Sequence, residues 1–197
     1  MSAILTNLRN TVIAGVALAI VLFIIYYTQQ GYGPDYGVFF IRYLHVVSGV
    51  MWIGLLWYFN FVQIPNMPKI PDDQKPAIGK VIAPAALFWF RWGAMATIAT
   101  GLILAMMNGY LVEAITVGLT DGVPKHTMIG LGMWMGTIMW FNVWFVIWPN
   151  QKKALGIVEA SAEEKAAAAR TAMLFSRTNT MLSIPMLFAM VSAQNIF

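Results

Sequence analysis

The sequence predicts an all-α integral membrane protein, a single transmembrane helical domain built as a bundle of about five transmembrane helices. Of its 197 residues, 59% are hydrophobic and only 10% charged, far more apolar surface than one water-soluble core of this length buries. Apolar runs long enough to cross about 30 Å of hydrocarbon at 1.5 Å per residue occur five times. The lysines and arginines collect in the connections on one side of those runs. The 14 Met and 8 Trp suit the same class, because thioethers fill gaps between helices and indoles favour the bilayer interface, so they need no separate functional explanation.

The first run, 11–27, follows Arg9 and reads as a retained anchor rather than a signal peptide, because no small-x-small cleavage pattern follows it. The next three cover 37–62, 85–109 and 126–148. The fifth, 179–196, contains Pro185, which a packed bundle tolerates when a neighbour satisfies the freed carbonyl. Nine basic residues, Arg9 among them, fall in the N-terminal segment and the connections 64–84 and 149–177, against Lys125 alone on the other side. By the positive-inside rule the N-terminus and both of those connections face the cytoplasm, while 29–36, 110–125 and Phe197 face away. Pro65, Pro68, Pro71, Pro76 and Pro84 make the first connection an ordered but largely non-helical crossover. The stretch 161–177 reads as a helix, with a capping box from Ser161 to Glu164 ahead of an alanine-rich run. No internal repeat is present, which disfavours an inverted-repeat transporter.

Composition also excludes chemistry. Without cysteine there is no disulfide, no thiolate metal site and no covalent c-type haem, so any such electron carrier is a separate protein. The net charge of +4 sits in short loops rather than in one stripe, which fits bilayer orientation and not nucleic acid. None of the eight carboxylates falls inside a predicted span, which argues against proton pumps and many ion-coupled carriers.

The polar residues left inside the spans are Arg42, His45, Asn60, Arg91, His126, Asn142 and Asn179. His45 lies 20 residues before Pro65 and His126 lies 23 before Pro149, so the two imidazoles differ in depth by roughly 4 to 5 Å. Histidines at similar depth on two helices suit the axial ligands of a planar haem; equally, each suits a lone imidazole bonded to a neighbouring backbone or hydroxyl. Arg42, His45, Ser48, Gly49 and Trp52 share one helix face. Ser48 and Gly49 leave room beside His45 for a flat ligand or for another helix. Arg42 suits a haem propionate, or snorkels to a lipid phosphate. Arg91, within Trp89-Phe90-Arg91-Trp92, reads as a lipid anchor. Gly132 and Gly136 form a small-xxx-small pair suited to a close helix contact. Met133 and Met135 point in different directions on a helix, which disfavours a copper site.

The motifs Leu44-His45, Trp52-Ile53-Gly54, Phe90-Arg91-Trp92-Gly93, Trp148-Pro149-Asn150-Gln151-Lys152-Lys153, Arg177-Thr178-Asn179-Thr180 and Ser183-Ile184-Pro185 occur in order over residues 38–193. Together they resemble the membrane domain of the bacterial membrane-bound urate oxidases, the urate-oxidase N-terminal-domain family. The Leu-His and Trp-Ile-Gly pattern is also similar to that of small haem-binding membrane proteins of the HemJ-type protoporphyrinogen oxidases. Described urate oxidases of the family carry a C-terminal cytochrome c and further membrane helices, which these residues do not include. Where the family has His-Asn and Asn-His steps around the last matched helix, this sequence has Arg177-Thr178-Asn179 and Ala193-Gln194-Asn195. The resemblance implies the fold and a haem more than urate chemistry; with the depth and face spacing of the polar residues it leads to the expectation of a small redox protein or subunit of the bacterial inner membrane, binding haem b through His45 and His126, with Arg42, Gly49 and Trp52 around the cofactor. Two other functions follow as expectations: a non-catalytic accessory subunit packed against other membrane subunits, or purine (urate) oxidation using an external cytochrome c.

Overall fold

In hydrocarbon every backbone N–H and C=O must be paired within its own segment, so apolar runs of this length become helices. A computed structural model describes residues 2–31 and 35–197, and those residues contain no strand. Contacts divide the chain into two compact units, Met1–Gly37 and Val38–Phe197.

The first unit is built on α1, Leu8–Gln30. The Asn7 side chain caps its start by accepting from the Asn10 N–H, and Gly31 ends it at φ 67°, a left-handed conformation that costs glycine little. No residue of α1 is buried, as befits a helix that is apolar all round. The Tyr36 hydroxyl donates to the Gly31 carbonyl at 2.7 Å, and its ring stands edge-on to Phe23. Of the segment 29–36, expected to face outward, residues 32–34 lie outside the described residues.

The second unit holds α2 (Tyr36–Lys69, from Val38 on), α3 (Lys75–Met107), α4 (Pro124–Ala154) and α5 (Ala162–Asn195). Helices α1 to α4 are long and apolar enough to cross a membrane. The core gathers Trp52, Leu56, Phe90, Met139 and Ile147, all at most 1% exposed. Between lipid-immersed helices such contacts stabilise through close packing rather than by removal from water. On α4, a Cβ at Gly132 would lie 3.0 Å from the Met190 side chain of α5, so that thioether fills the space the glycine leaves, whereas Gly136 meets nothing within 4 Å. The turn of helix Leu111–Ile115 brings the Ala114 backbone against Gly130, where a side chain would find no room.

Two connections differ from their expected form. The stretch 64–84 is mostly helical, with only 70–74 outside a helix. Pro71 lies in that gap, whereas Pro65, Pro68, Pro76 and Pro84 lie within helical segments. The helix starting at Ser161 does not stop at 177 but runs unbroken through Asn195, taking in the fifth predicted span and Pro185.

Three π-helical segments interrupt the long helices: Tyr58–Gln63, Ile78–Ile82 and Asn142–Ile147. Each ends two residues before a proline, at Pro65, Pro84 and Pro149. In each, the residue just before the proline bonds five back: Ile64 to Phe59, Ala83 to Ile78 and Trp148 to Val143. A proline cannot serve the carbonyl four residues back and its ring crowds it, and a locally widened turn relieves both problems.

Candidate functional site

The face of α2 that carries Arg42, His45, Ser48, Gly49 and Trp52 runs from an exposed Arg42 to a fully buried Trp52. It lies along α3, where Gly93, Thr97 and Gly101 recur every fourth residue. A Cβ at Gly93 would sit 3.3 Å from the Trp52 backbone N, and one at Gly49 4.0 Å from the Thr97 methyl. The room beside His45 is thus filled by a helix along much of its length. His45 Nδ1 donates to the Thr97 carbonyl at 3.0 Å and is 3.3 Å from the Thr100 hydroxyl oxygen. Because a carbonyl only accepts, the Nδ1 nitrogen carries the proton and Nε2 keeps its lone pair. The ring rests on Gly101, where a Cβ would come within 2.9 Å of Cε1. Trp52, two turns further in, has a buried indole N–H with no partner.

His126 occupies the first turn of α4, which Pro124 opens. Its Nδ1 pairs with Asp121 Oδ2 at 2.5 Å, and its ring stacks on Tyr110 with centroids 5.5 Å apart. The other Asp121 oxygen accepts from the Val123 N–H. That backbone bond, then His126, hold the Asp121 carboxyl below its usual range. Burial raises the Tyr110 phenol, and the positive charge of Arg42 partly offsets this. The two histidines themselves are held by different partners, His45 by α3 and His126 by residues 110–121. Among the described residues no three His, Asp or Glu side chains gather into a metal-binding group.

A second polar cluster lies nearer the Lys152 end of the bundle. Asn142 donates to Asn179 Oδ1 at 2.8 Å, and Asn179, fully buried, donates to the Met139 carbonyl at 2.9 Å. Asn60 donates to Ser176 at 2.8 Å, and Trp57 to Ser183 at 3.0 Å. Asn60 and Asn142 both sit in π-helical segments, which turn them toward α5. Arg91 stacks over the Trp148 ring at 3.4 Å, with one guanidinium nitrogen buried and unpaired, rather than reaching outward as an anchor.

Residues 122–196 match the family model described as urate oxidase N-terminal. The chain resembles that family. The matched stretch holds His126, Asn142 and Asn179 and the whole α4–α5 pair; the motifs at 44–54 and 90–93, with His45, precede it. No curated protein and no solved structure matches.

Sequence reasoning picked out both histidines and missed what holds them. Asp121 precedes His126 by five residues, a separation that carries no helical signal because a turn intervenes. The Gly93, Thr97, Gly101 spacing was the available sign that α3 offers a flat seam to another helix.

Proposed function

We propose that this membrane domain binds haem b between His45 and His126 and serves as a redox protein or subunit related to the urate oxidase membrane domain. One observation carries the reading. Both histidines donate Nδ1–H to an oxygen, Thr97 O and Asp121 Oδ2, and among the described residues neither Nε2 has a hydrogen-bond partner. That is the arrangement metal-ligating histidines adopt, since the outer oxygen fixes the tautomer and raises the basicity of the free nitrogen. Arg42, one turn from His45 on α2 with no acid in its own span, is suited to a propionate.

Haem iron, when bound, supplies one-electron transfer. The protein's own contributions are separate and concrete. Thr97 and Thr100 orient His45, Gly101 gives its ring room, and Asp121 strengthens His126 as a donor. Burial along α2 keeps water away from the inner part of the site. The excess of basic residues in the segments flanking the helices supports an inner-membrane placement with the N-terminus cytoplasmic and residues 110–125, with His126, on the opposite side.

The test is a visible spectrum of the full chain purified from haem-replete cells. A Soret band and a low-spin reduced spectrum are expected. His45→Ala and His126→Ala should each give a high-spin form or lose the pigment, and Arg42→Gln should keep it at a lower midpoint potential. A colourless wild type, or a spectrum untouched by either histidine substitution, overturns the reading.

A further inference from the structure

A partly open cleft of ≈ 150 Å³ lies at the Lys152 end of the bundle, between the inner ends of α2, α3 and α4 and the first half of α5. Its walls are mostly apolar, with Phe59, Phe90 and Met173 among them, and no charged side chain lines it. Three polar side chains do: Gln63, Gln151 and Ser176. The Oε1 atoms of both glutamines are buried and accept no hydrogen bond. Ser176 accepts from Asn60 at 2.8 Å, which leaves its own proton to give. Gln63 closes the π-helical segment of α2, and Gln151 follows Pro149 at the end of α4. Two helices thus each present one unpaired acceptor to the same apolar space.

Buried amide oxygens without partners are costly, and an occupant able to donate to both removes that cost. The volume is that in which an apolar cavity holds a single benzene-sized ring. The absence of charge on the walls calls for a neutral occupant. Two acceptors against one hydroxyl donor favour a ring that brings more donors than acceptors, which disfavours lactams and other carbonyl-rich rings.

We propose that the cleft binds the dihydroxylated ring of a quinol, each ring hydroxyl donating to one glutamine and one of its oxygens accepting from Ser176. The site is independent of the haem reading, and its test uses no haem signal.

The test measures binding of hydroquinone, para-xylene and uracil to the full chain in nanodiscs by saturation-transfer NMR with competition. Hydroquinone should bind at least roughly tenfold tighter than para-xylene, which has the same shape and no donors, and tighter than uracil. Gln63→Leu and Gln151→Leu should each remove most of that preference. Ala169→Met, at an exposed residue on the cleft wall, should weaken both aromatic probes while leaving the amides and the fold intact. Equal binding of hydroquinone and para-xylene, tighter binding of uracil, no binding of any probe, or hydroquinone binding indifferent to Ala169→Met overturns the proposal.

Discussion

Gly101 determines how closely His45 can approach α3, since a Cβ there would lie 2.9 Å from the imidazole Cε1 and 3.3 Å from Nδ1. Gly101→Ala should therefore push the ring off the Thr97 carbonyl. The expected cost is about 1–3 kcal/mol, as for other overpacked sites, read as a lower thermal midpoint in detergent. Gly54→Ala on α2 is the control: its Cβ meets nothing within 4 Å, and helix propensity alone should make it neutral or stabilising by about 0.5–1 kcal/mol. If Gly101→Ala were as harmless as Gly54→Ala, the seam between α2 and α3 would be looser than described. At this scale the sequence was half legible. The stripe from Arg42 to Trp52 followed from helical spacing, and the structure shows its burial rising inward along one face. The partners of His45 did not follow, because Thr97 and Thr100 are 52 and 55 residues away and only the fold brings them near.

The prolines show how an element can be misread from residues whose chemistry is read correctly. Proline does remove an N–H, and that is why 64–84 reads as non-helical. The chain instead widens to a π-turn before Pro65, Pro84 and Pro149 and continues as helix. Replacing Pro149 by alanine restores an N–H for the Phe145 carbonyl and should return 142–147 to the α register, turning Asn142 away from Asn179 by about 100°. A restored helix bond and a lost amide pair act in opposite directions, so the informative quantity is their coupling. Asn142→Ala should cost about 1–3 kcal/mol in the wild type and little in the Pro149→Ala background. Equal costs in both backgrounds would sink the link between proline and π-segment. The capping box at the start of α5 was legible, because Ser161 and Glu164 need only local backbone to meet: Ser161 N–H donates to Glu164 Oε2 at 2.8 Å. That bond, with further help from the Ser161 side chain, holds the Glu164 carboxyl below the usual glutamate range. Its contribution to the helix start is complete above the ordinary glutamate pKa and is lost as pH falls through the lowered folded value. Carboxyl-carbon NMR titration should find the Glu164 midpoint below the ordinary glutamate range. If Ser161→Pro, which removes the donating N–H, leaves the midpoint where it was, the backbone bond is not its cause.

At the scale of the molecule the open matter is α5, which is helical throughout but less apolar than α1 to α4. Its 34 residues reach roughly 50 Å, well beyond the thickness of a hydrocarbon core. Its two long faces explain the composition. Ala168, Ala172, Ser176, Asn179, Ser183 and Ala193 are buried and small or polar, and they let α4 approach closely. Met181, Ile184, Phe188 and Val191, spaced three or four apart, are at least 60% exposed on the outside. A water-soluble helix puts its large apolar residues inside, whereas this one turns them outward and keeps its amides within, as lipid demands. Hydropathy averaged over the whole helix mixes the two faces and so understates the second. The helix is therefore expected to cross. Because the chain has no cysteine, single cysteines can be placed without background. Thr120→Cys and Lys153→Cys bracket α4, and Glu163→Cys and Asn195→Cys bracket α5, all at exposed positions. A membrane-impermeant maleimide applied to intact spheroplasts should label 120 and 195 and spare 153 and 163; inside-out vesicles should give the reverse. Labelling of 163 and 195 from the same side would leave α5 folded back on α4 without crossing and would move the C-terminus to the face that carries Lys152 and Lys153.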